Sequence, residues 1–495
     1  MTNPMTITLN QVTSRPLFST RKIVHMSMLG FAFLLPFLTW PQAAGAALLA
    51  LLFNLLILPR LEVDLRKRPG SAGVPFASLR ACPERSEGAD SPAQRLSDSA
   101  VDSTTASAAE SSASVWTGIV LYPISVLALI LLYRHSMHVA AAVWAIMALG
   151  DGLASVAGER LGGPALPYNR EKTWAGFVSF ALAGTAGAYT LARWVNPAFE
   201  SDKALLVCAA TAVVGALVES APVRLDDNAT VPLVSGGFMF CAFLMERSAL
   251  ASNLPYLGRR IALAVVINLA FALVALRLRL VARSGAWAGF LLGVAVYLGY
   301  GWKSFSLLLA FFVLGSMATR LGYAKKAARG IAERRGGARS WREALANTLA
   351  GAFFSILVIT THHEAAFLVA LMATFAEAAG DTVSSEIGQW LSTRAYLVTT
   401  FEPVRAGENG GISLGGTAAG LAASALVAGL GYALGLSTRG GAALALAAGL
   451  AGNLLDSVLG ATLERRGLVS NGIVNFAGTS FAGALALGLS LRAGH

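Results

Sequence analysis

The sequence predicts an all-α integral membrane protein that crosses the bilayer about fifteen times. Hydrophobic residues make up 55% of the 495 residues and charged residues only 13%, whereas a soluble chain carries about 25% charged residues. The mean hydropathy is +0.61. Apolar stretches long enough to span a bilayer recur along nearly the whole chain.

The charge pattern is that of a membrane protein rather than of a nucleic-acid-binding protein. The net charge is +11, and the basic residues lie in short segments between the predicted spans. The positive-inside rule places such segments in the cytosol. We therefore expect a cell-membrane location, a cytosolic N-terminus and no nucleic-acid partner. The three cysteines show no metal-ligand spacing, so neither a disulfide framework nor a zinc site is predicted.

The predicted spans divide the chain into two parallel repeats of seven, joined by one extra helix. They lie near 23–40, 42–59, 115–133, 138–157, 173–192, 204–221, 230–247, 259–277, 284–300, 302–319, 345–361, 364–380, 413–435, 440–458 and 473–491. The expected domains are 1–250 and 284–495, with a linking transmembrane segment at 251–283. The loop 71–114 is rich in Ser, Ala, Glu and Asp, a composition that predicts disorder.

A short polar motif occurs once in each half, where an apolar stretch ends. Residues 150–158 read Gly-Asp-Gly-Leu-Ala-Ser-Val-Ala-Gly, and residues 380–388 read Gly-Asp-Thr-Val-Ser-Ser-Glu-Ile-Gly. An ionisable side chain at the edge of hydrocarbon is costly and requires a compensating role. The repeated aspartates, Asp151 and Asp381, therefore predict two related active sites, both cytosolic in the topology above.

The residues that follow Asp151 suit phosphoryl-transfer chemistry. Further carboxylates follow at Glu219 and Asp227, and Lys172 and Arg160 supply positive charge for phosphates. Carboxylate oxygens suit Mg²⁺, which binds through one or two carboxylates together with phosphate oxygens. No Gly-x4-Gly-Lys-Ser/Thr motif is present, which argues against an ordinary P-loop kinase.

The first half, over roughly residues 15–250, resembles the phytol kinase and dolichol kinase group, which is related to the phosphatidate cytidylyltransferases. The resemblance rests on Gly-Asp-Gly-x-Ala-Ser-x-x-Gly, Lys-Thr-Trp-Ala-Gly, Glu-x-x-Pro followed by Asp-Asn, and Arg21-Lys22-x-x-His25. It implies phosphorylation of a long-chain prenol by CTP or UTP. The implied metal ligands are Asp151, Glu219 and Asp227. These residues and Lys172 would be catalytic. The implied nucleotide contacts are Ser155, Arg160, Thr173 and Asn228.

The second half, over roughly residues 275–493, resembles the phytyl-phosphate kinase family. The motifs are Ala-Gly-Asp-Thr-x-Ser-Ser-Glu-Ile-Gly, Asn-Gly-Gly-x-Ser and Leu-Asp-Ser-x-Leu-Gly-Ala. The resemblance implies addition of a second phosphate to a prenyl monophosphate. Asp381 and Asp456 would be catalytic and would bind metal with Glu386, and the implied nucleotide contacts are Ser385, Asn409, Gly410, Gly411, Asn471 and Asn475.

Two features of the second half are assigned structural roles. The basic segment 325–342 is predicted to be a surface helix that anchors the topology. None of its basic residues is recognisable as a counterpart of Lys172. The glycine-rich runs at 440–452 predict close helix packing.

These observations predict a bifunctional membrane kinase that uses CTP, with Mg²⁺ as cofactor, and takes its prenol and prenyl phosphate substrates from membrane lipid. Two alternatives stay open. A lipid-phosphate cytidylyltransferase would share the nucleotide and metal apparatus but release pyrophosphate. A transporter built from repeats would carry its polar sites near the bilayer midplane, whereas the motifs here cluster at one predicted face.

Overall fold

The computed structural model describes residues 26–57, 60 and 118–493. The chain divides into two compact units, residues 1–240 and 241–495, and each is described by itself. The Arg21-Lys22-x-x-His25 motif and the loop 71–114 lie outside the described residues.

The first unit is built around one central helix. Its elements are a 3₁₀ helix (Met28–Phe37), α1 (Trp40–Leu52) with a π turn (Phe53–Ile57), α2 (Gly118–Leu132), α3 (Met137–Ala145) with a π turn (Ile146–Gly150), α4 (Asp151–Leu161), α5 (Trp174–Val195), α6 (Ser201–Glu219) and α7 (Asp227–Phe243). The segment Met137–Leu161 is continuous and apolar. Helix α5 packs against α3, α4 and α6, and this packing brings the start of α4 and the start of α5 together.

The second unit surrounds a long, almost fully buried helix. Its elements are α8 (Arg247–Arg277), α9 (Arg283–Tyr300), α10 (Trp302–Arg320), α11 (Tyr323–Ala328), a 3₁₀ turn (Arg334–Gly337), α12 (Trp341–Thr360), α13 (Glu364–Leu391), α14 (Leu414–Ala433), α15 (Arg439–Leu459) with a π turn (Gly460–Glu464) and α16 (Asn471–Ala493). Helix α13 packs against α10, α12, α14, α15 and α16. Every residue of α13 from Ala366 to Gly380 is buried.

The helices agree with the sequence prediction of an all-α integral membrane protein. In the described part of the chain, 11 helices are long and apolar enough to cross a membrane, and each predicted span overlaps a helix. The total of fifteen spans, the parallel arrangement of the repeats and the domain limits stay predictions.

Two helix boundaries and one small sheet differ from the sequence prediction. Helix α13 does not end at Asp381 but continues to Leu391, since a single carboxylate lowers hydropathy without interrupting backbone hydrogen bonding. Charged side chains likewise leave the backbone hydrogen bonds of α8 intact. This helix begins at Arg247 and passes through Arg259 and Arg260, whereas the apolar stretch alone predicts a start near residue 259. The segment after α13 forms a small antiparallel sheet of order β2-β1-β3 from β1 (Arg394–Leu397), β2 (Pro403–Arg405) and β3 (Gly411–Ile412), which had not been predicted.

Close helix packing at the glycine-rich run is confirmed. A Cβ atom on Gly449 would lie 3.1 Å from Cβ of Ala376, and one on Gly452 would lie 2.8 Å from Cγ of Glu377 and from the carbonyl oxygen of Gly478. Small residues let helix backbones approach in this way. The approach places Glu377 between α15 and α16.

Candidate active sites

The first candidate site is a cluster of three carboxylates around one lysine. Nζ of Lys172 donates to Oε1 of Glu219 and lies 3.9 Å from Oδ2 of Asp227. Asp151 is close enough to act electrostatically on both carboxylates and on the lysine. The structure therefore brings together all four residues predicted to be catalytic in the first half.

Burial and charge act in opposite directions within this cluster. Burial disfavours the ammonium of Lys172, but the attraction of Glu219, Asp227 and Asp151 outweighs it and raises the pKa of the lysine. Burial raises the pKa of Asp227 to about 7, against the attraction of Lys172. The cluster is therefore short of positive charge, and a bound cation would favour its ionised form.

The loop that carries Lys172 is held by its own backbone and by the end of α6. Its two arms pair through Ala165 and Thr173. Nδ2 of Asn169 donates to the carbonyl of Ser220 at 3.1 Å, and the hydroxyls of Tyr168 and Ser220 lie 2.9 Å apart. These contacts fix Lys172 against Glu219.

The N-terminal caps of α5 and α14 have the same local construction. Oγ1 of Thr173 accepts from the amide of Gly176 at 3.1 Å, and Oγ of Ser413 accepts from the amide of Gly416 at 3.2 Å. A Cβ on Gly158 would lie 3.4 Å from the Thr173 hydroxyl, and one on Gly388 would lie 2.9 Å from the Ser413 hydroxyl. The last glycine of each repeated motif therefore lets its helix approach a capping hydroxyl.

The predicted nucleotide contacts of the first half lie in different surroundings, and the structure does not bring them together as one binding site. Thr173 serves as the cap just described. Asn228 is buried, and both its amide N–H and its Nδ2 donate to Oδ1 of Asp226, at 2.9 and 2.8 Å. Ser155 is half-buried and Arg160 is exposed at the end of α4. Their nucleotide roles stay predictions.

The second candidate site is a group of carboxyl groups on α13 and α15, of which Glu377 and Asp456 are buried and Asp381 is half-buried. The carboxyl groups of Asp381 and Asp456 lie within hydrogen-bonding range of each other. Glu377 lies one turn before Asp381, is 1% exposed and interacts electrostatically with both aspartates. Among the described residues, neither oxygen of Glu377, nor Oδ2 of Asp456, has a hydrogen-bond partner.

Glu386 has a partner that the sequence analysis missed. Lys326 of α11 is fully buried, and its Nζ donates to Oε2 of Glu386 and to the carbonyls of Ala318 and Thr319. The prediction that this basic segment is only a surface helix is wrong at Lys326. Nothing in the sequence distinguishes this lysine from the neighbouring basic residues, since its burial follows from the fold. A metal role for Glu386 stays a prediction.

The predicted glycine loop lies against the end of α15. Gly410 has a positive φ of 73°, and a Cβ there would overlap the backbone of Ala461. The amide of Gly411 donates to the carbonyl of Glu408 at 3.0 Å, so it closes the turn. Asn409 is exposed. The loop approaches the helix that carries Asp456, and phosphate binding by its backbone stays a prediction.

The other predicted contacts of the second half are separated. Asn471, at the start of α16, hydrogen-bonds Glu464. Nδ2 of Asn475 donates to Oδ1 of Asn347 at 3.3 Å. Ser385 is exposed on α13. Only Asp381 and Asp456 of the predicted residues are brought together by direct contact, and Glu377 joins them from one turn away.

The second site fits a divalent cation by its donor set. In the described part of the chain, no three Asp, Glu, His or Cys side chains form a ready-made metal cluster. Magnesium in nucleotide sites, however, needs only one or two carboxylates, with phosphate oxygens completing the shell. The close carboxyl groups of Asp381 and Asp456 and the unpartnered Oδ2 of Asp456 are the kind of oxygen donors that such an ion binds.

The fold and the two carboxylate clusters define an integral membrane protein with polar chemistry in each unit. Residues 266–483 match the family described as integral membrane protein DUF92. An uncharacterized membrane protein of Synechocystis sp. is 34% identical over 236 residues, which cover 46% of this chain and 91% of that relative. The chain therefore belongs to the DUF92 family of integral membrane proteins.

Two further relatives have chloroplast names. The chloroplast protein VTE6 of Arabidopsis thaliana is 36% identical over 211 residues, which cover 41% of this chain and 63% of that protein. A probable phytol kinase 3 of Glycine max is 41% identical over 117 residues, or 22% of this chain and 35% of that protein. The chain thus spans only about a third of that kinase. No solved structure matches the chain.

Proposed function

We propose that the protein is a bifunctional membrane kinase that converts a long-chain prenol, such as phytol, to its monophosphate and then to its diphosphate. The first unit would carry out the first reaction and the second unit the second, with CTP or UTP as donor. The observation that carries this proposal is a cluster of carboxyl groups in each unit. Asp151, Glu219 and Asp227 surround Lys172 in the first unit. Glu377, Asp381 and Asp456 lie within electrostatic range of one another in the second unit. The similarity to a probable phytol kinase supports it.

The first reaction would phosphorylate a neutral alcohol. The prenol oxygen would form a bond to the terminal phosphorus of the nucleotide, the bond to the bridging oxygen would break, and the hydroxyl proton would pass to a carboxylate of the Asp151–Glu219–Asp227 cluster. Lys172, held between Glu219 and Asp227, would neutralise charge on the transferred phosphoryl group. In such reactions the protein mainly positions groups and neutralises charge.

The second reaction would use an acceptor that is already an anion. The monophosphate needs no base, because its second pKa is about 6. It does need positive charge, since an anionic acceptor must approach an anionic donor. Asp381 and Asp456 would hold Mg²⁺, with Glu377 as a further carboxylate within electrostatic range. When bound, Mg²⁺ would neutralise the phosphates of the nucleotide.

Both substrates carry a long apolar tail, and the first unit offers a surface for one. An apolar groove between α4 and α5 is lined by residues that include Ala157, Leu161, Trp174, Val178 and Leu182. It begins next to Lys172 and Thr173 in the chain. Burial of a tail contributes about 0.8 kcal/mol per methylene, so substrate would enter laterally from the membrane.

We also propose a cytosolic N-terminus and cytosolic active sites in a cell membrane. The basis is the distribution of basic segments between the helices, which the positive-inside rule assigns to the cytosol. Soluble nucleotide would then reach both reactions from the same compartment.

The function can be tested with purified protein in lipid vesicles, CTP labelled at either the α or the γ phosphate, and a panel of prenols. We expect transfer of the γ label to prenol, with release of CDP. Incorporation of the α label with release of pyrophosphate would instead identify a cytidylyltransferase. Absence of any transfer to prenols or prenyl phosphates, with CTP and with UTP, would refute the kinase proposal.

A further inference from the structure

Arg339 is a partly buried cation at the junction of four helices of the second unit. Its backbone is fixed by two hydrogen bonds: its amide donates to Leu280 at 3.1 Å, and its carbonyl accepts from Ala282 at 2.9 Å. Its guanidinium lies over two rings, with Cζ 5.0 Å from the centroid of Phe311 and 5.8 Å from that of Phe312. The side chain therefore points inward, along the face of α10.

Three carboxylates, Glu386, Glu333 and Glu343, attract Arg339 electrostatically, and two of them are engaged with other groups. Glu386 is paired with Lys326, and Oε2 of Glu343 accepts from the backbone and side chain of Ser340 in a helix cap. Within the described residues, the Arg339 side chain makes no hydrogen bond or ion pair. Its five N–H donors are thus available to an anion.

The guanidinium lines an apolar cavity between α8, α9, α10 and α12. Most of the lining is hydrophobic or small, including Phe271, Ala275, Phe290 and Leu308, and its other charged residue is the capping Glu343. Because the carboxylate of Glu343 is held in its helix cap, Arg339 is the charged group of this lining that an anionic head group on a hydrocarbon tail could contact.

The same guanidinium lies close to the second candidate site. A Cβ atom on Gly315 of α10 would overlap Nη2 of Arg339 and would come 3.1 Å from Cγ2 of Thr382. Thr382 directly follows Asp381 in α13. Gly315 therefore leaves the space in which Arg339 lies beside Thr382 on the helix that carries Asp381.

We propose that Arg339 binds the phosphate of a prenyl monophosphate, with the start of its tail in this cavity. The inference rests on the proposed function of the second unit and adds the residue that selects its acceptor. A planar guanidinium suits a phosphate because it can donate two parallel hydrogen bonds. A neutral prenol would gain nothing from this cation, so Arg339 distinguishes the monophosphate from the alcohol.

Binding is tested directly with phytyl monophosphate and phytol on the full-length protein in detergent, without nucleotide. Arg339→Gln should weaken binding of the monophosphate by about tenfold to a hundredfold, because a charge-assisted bond is lost, and should leave phytol binding unchanged. Arg339→Lys should show an intermediate loss. Arg439→Gln is the matched control, since Arg439 is exposed and contacts Tyr432 at 3.0 Å. Equal binding by wild type and Arg339→Gln would overturn the proposal.

A second variant keeps the arginine and displaces it. Gly315→Ala should push the guanidinium aside and weaken monophosphate binding, whereas Gly258→Ala, where no atom lies within 4 Å, should not. In turnover, Arg339→Gln should raise KM for the monophosphate and leave KM for CTP unchanged. If Arg339→Gln loses binding of the monophosphate while the wild type shows no kinase activity, this binding site is supported and the kinase function is refuted. Normal binding by Gly315→Ala and Arg339→Gln in an active kinase would refute this site alone.

Discussion

Lys326 is fully buried and donates a hydrogen bond to the carboxylate of Glu386, while its remaining donors reach the carbonyls of Ala318 and Thr319. Every donor of this ammonium is therefore used inside the protein. A buried charge with all its partners is stable, but either charge alone is strongly unfavourable. The ion pair thus connects the short helix α11 to α13, and loss of either partner would leave the other charge buried without compensation.

Lys326→Met should destabilise the protein by about 3–5 kcal/mol, because it leaves Glu386 buried without its cation. Lys325→Met is the matched control, since Lys325 is the exposed neighbour, and it should change the free energy of unfolding by about 0.5 kcal/mol or less. Adding Glu386→Gln to Lys326→Met should recover part of the loss. Thermal unfolding in detergent measures all four proteins, and equal unfolding temperatures for the two lysine variants would contradict the expectation.

Glu377→Gln addresses the buried carboxyl group that has no hydrogen-bond partner among the described residues. A buried charge without a partner is costly, so the amide should raise the unfolding temperature of metal-free protein. Magnesium should stabilise the wild type, since a ligand that binds only the folded state raises its stability. It should stabilise Glu377→Gln less and Asp456→Asn least. Equal stabilisation of all three by Mg²⁺ would show that the cation does not bind here.

The sequence was sufficient for the class of fold and for the residues of the first cluster. The apolar stretches predicted the positions of the membrane-spanning helices. Asp151, Lys172, Glu219 and Asp227 were recognisable because charged residues are rare in such a chain. It could not show Lys326 or Arg339, since both lie in a segment with many basic residues and only packing decides which of them turns inward. Glu377 was not predicted as a site residue, because its proximity to Asp456 depends on how closely α15 approaches α13.

Gly452→Ala tests how closely α15 packs against its neighbours α13 and α16. The added Cβ would lie 2.8 Å from the carbonyl oxygen of Gly478, and backbone cannot yield as a side-chain end can. We expect a loss of about 1–3 kcal/mol. Gly429→Ala, in α14 with no atom within 4 Å of the new Cβ, should be neutral or stabilising by up to about 1 kcal/mol. Chemical or thermal unfolding distinguishes them, and a neutral Gly452→Ala would mean that α15 and α16 are not in close contact there.

Asp151→Asn and Asp381→Asn should separate the two proposed activities. Each substitution keeps the shape of its side chain but removes the charge, and each aspartate interacts with the carboxyl groups of its own unit. Asp151→Asn should abolish phosphorylation of prenol, by about a hundredfold or more, and should still convert added prenyl monophosphate to the diphosphate. Asp381→Asn should do the reverse, so that monophosphate accumulates from prenol. Chromatography of labelled lipid products measures both steps in one reaction. If either single variant, folded as judged by its unfolding temperature, lost both activities, the assignment of one reaction to each unit would be wrong.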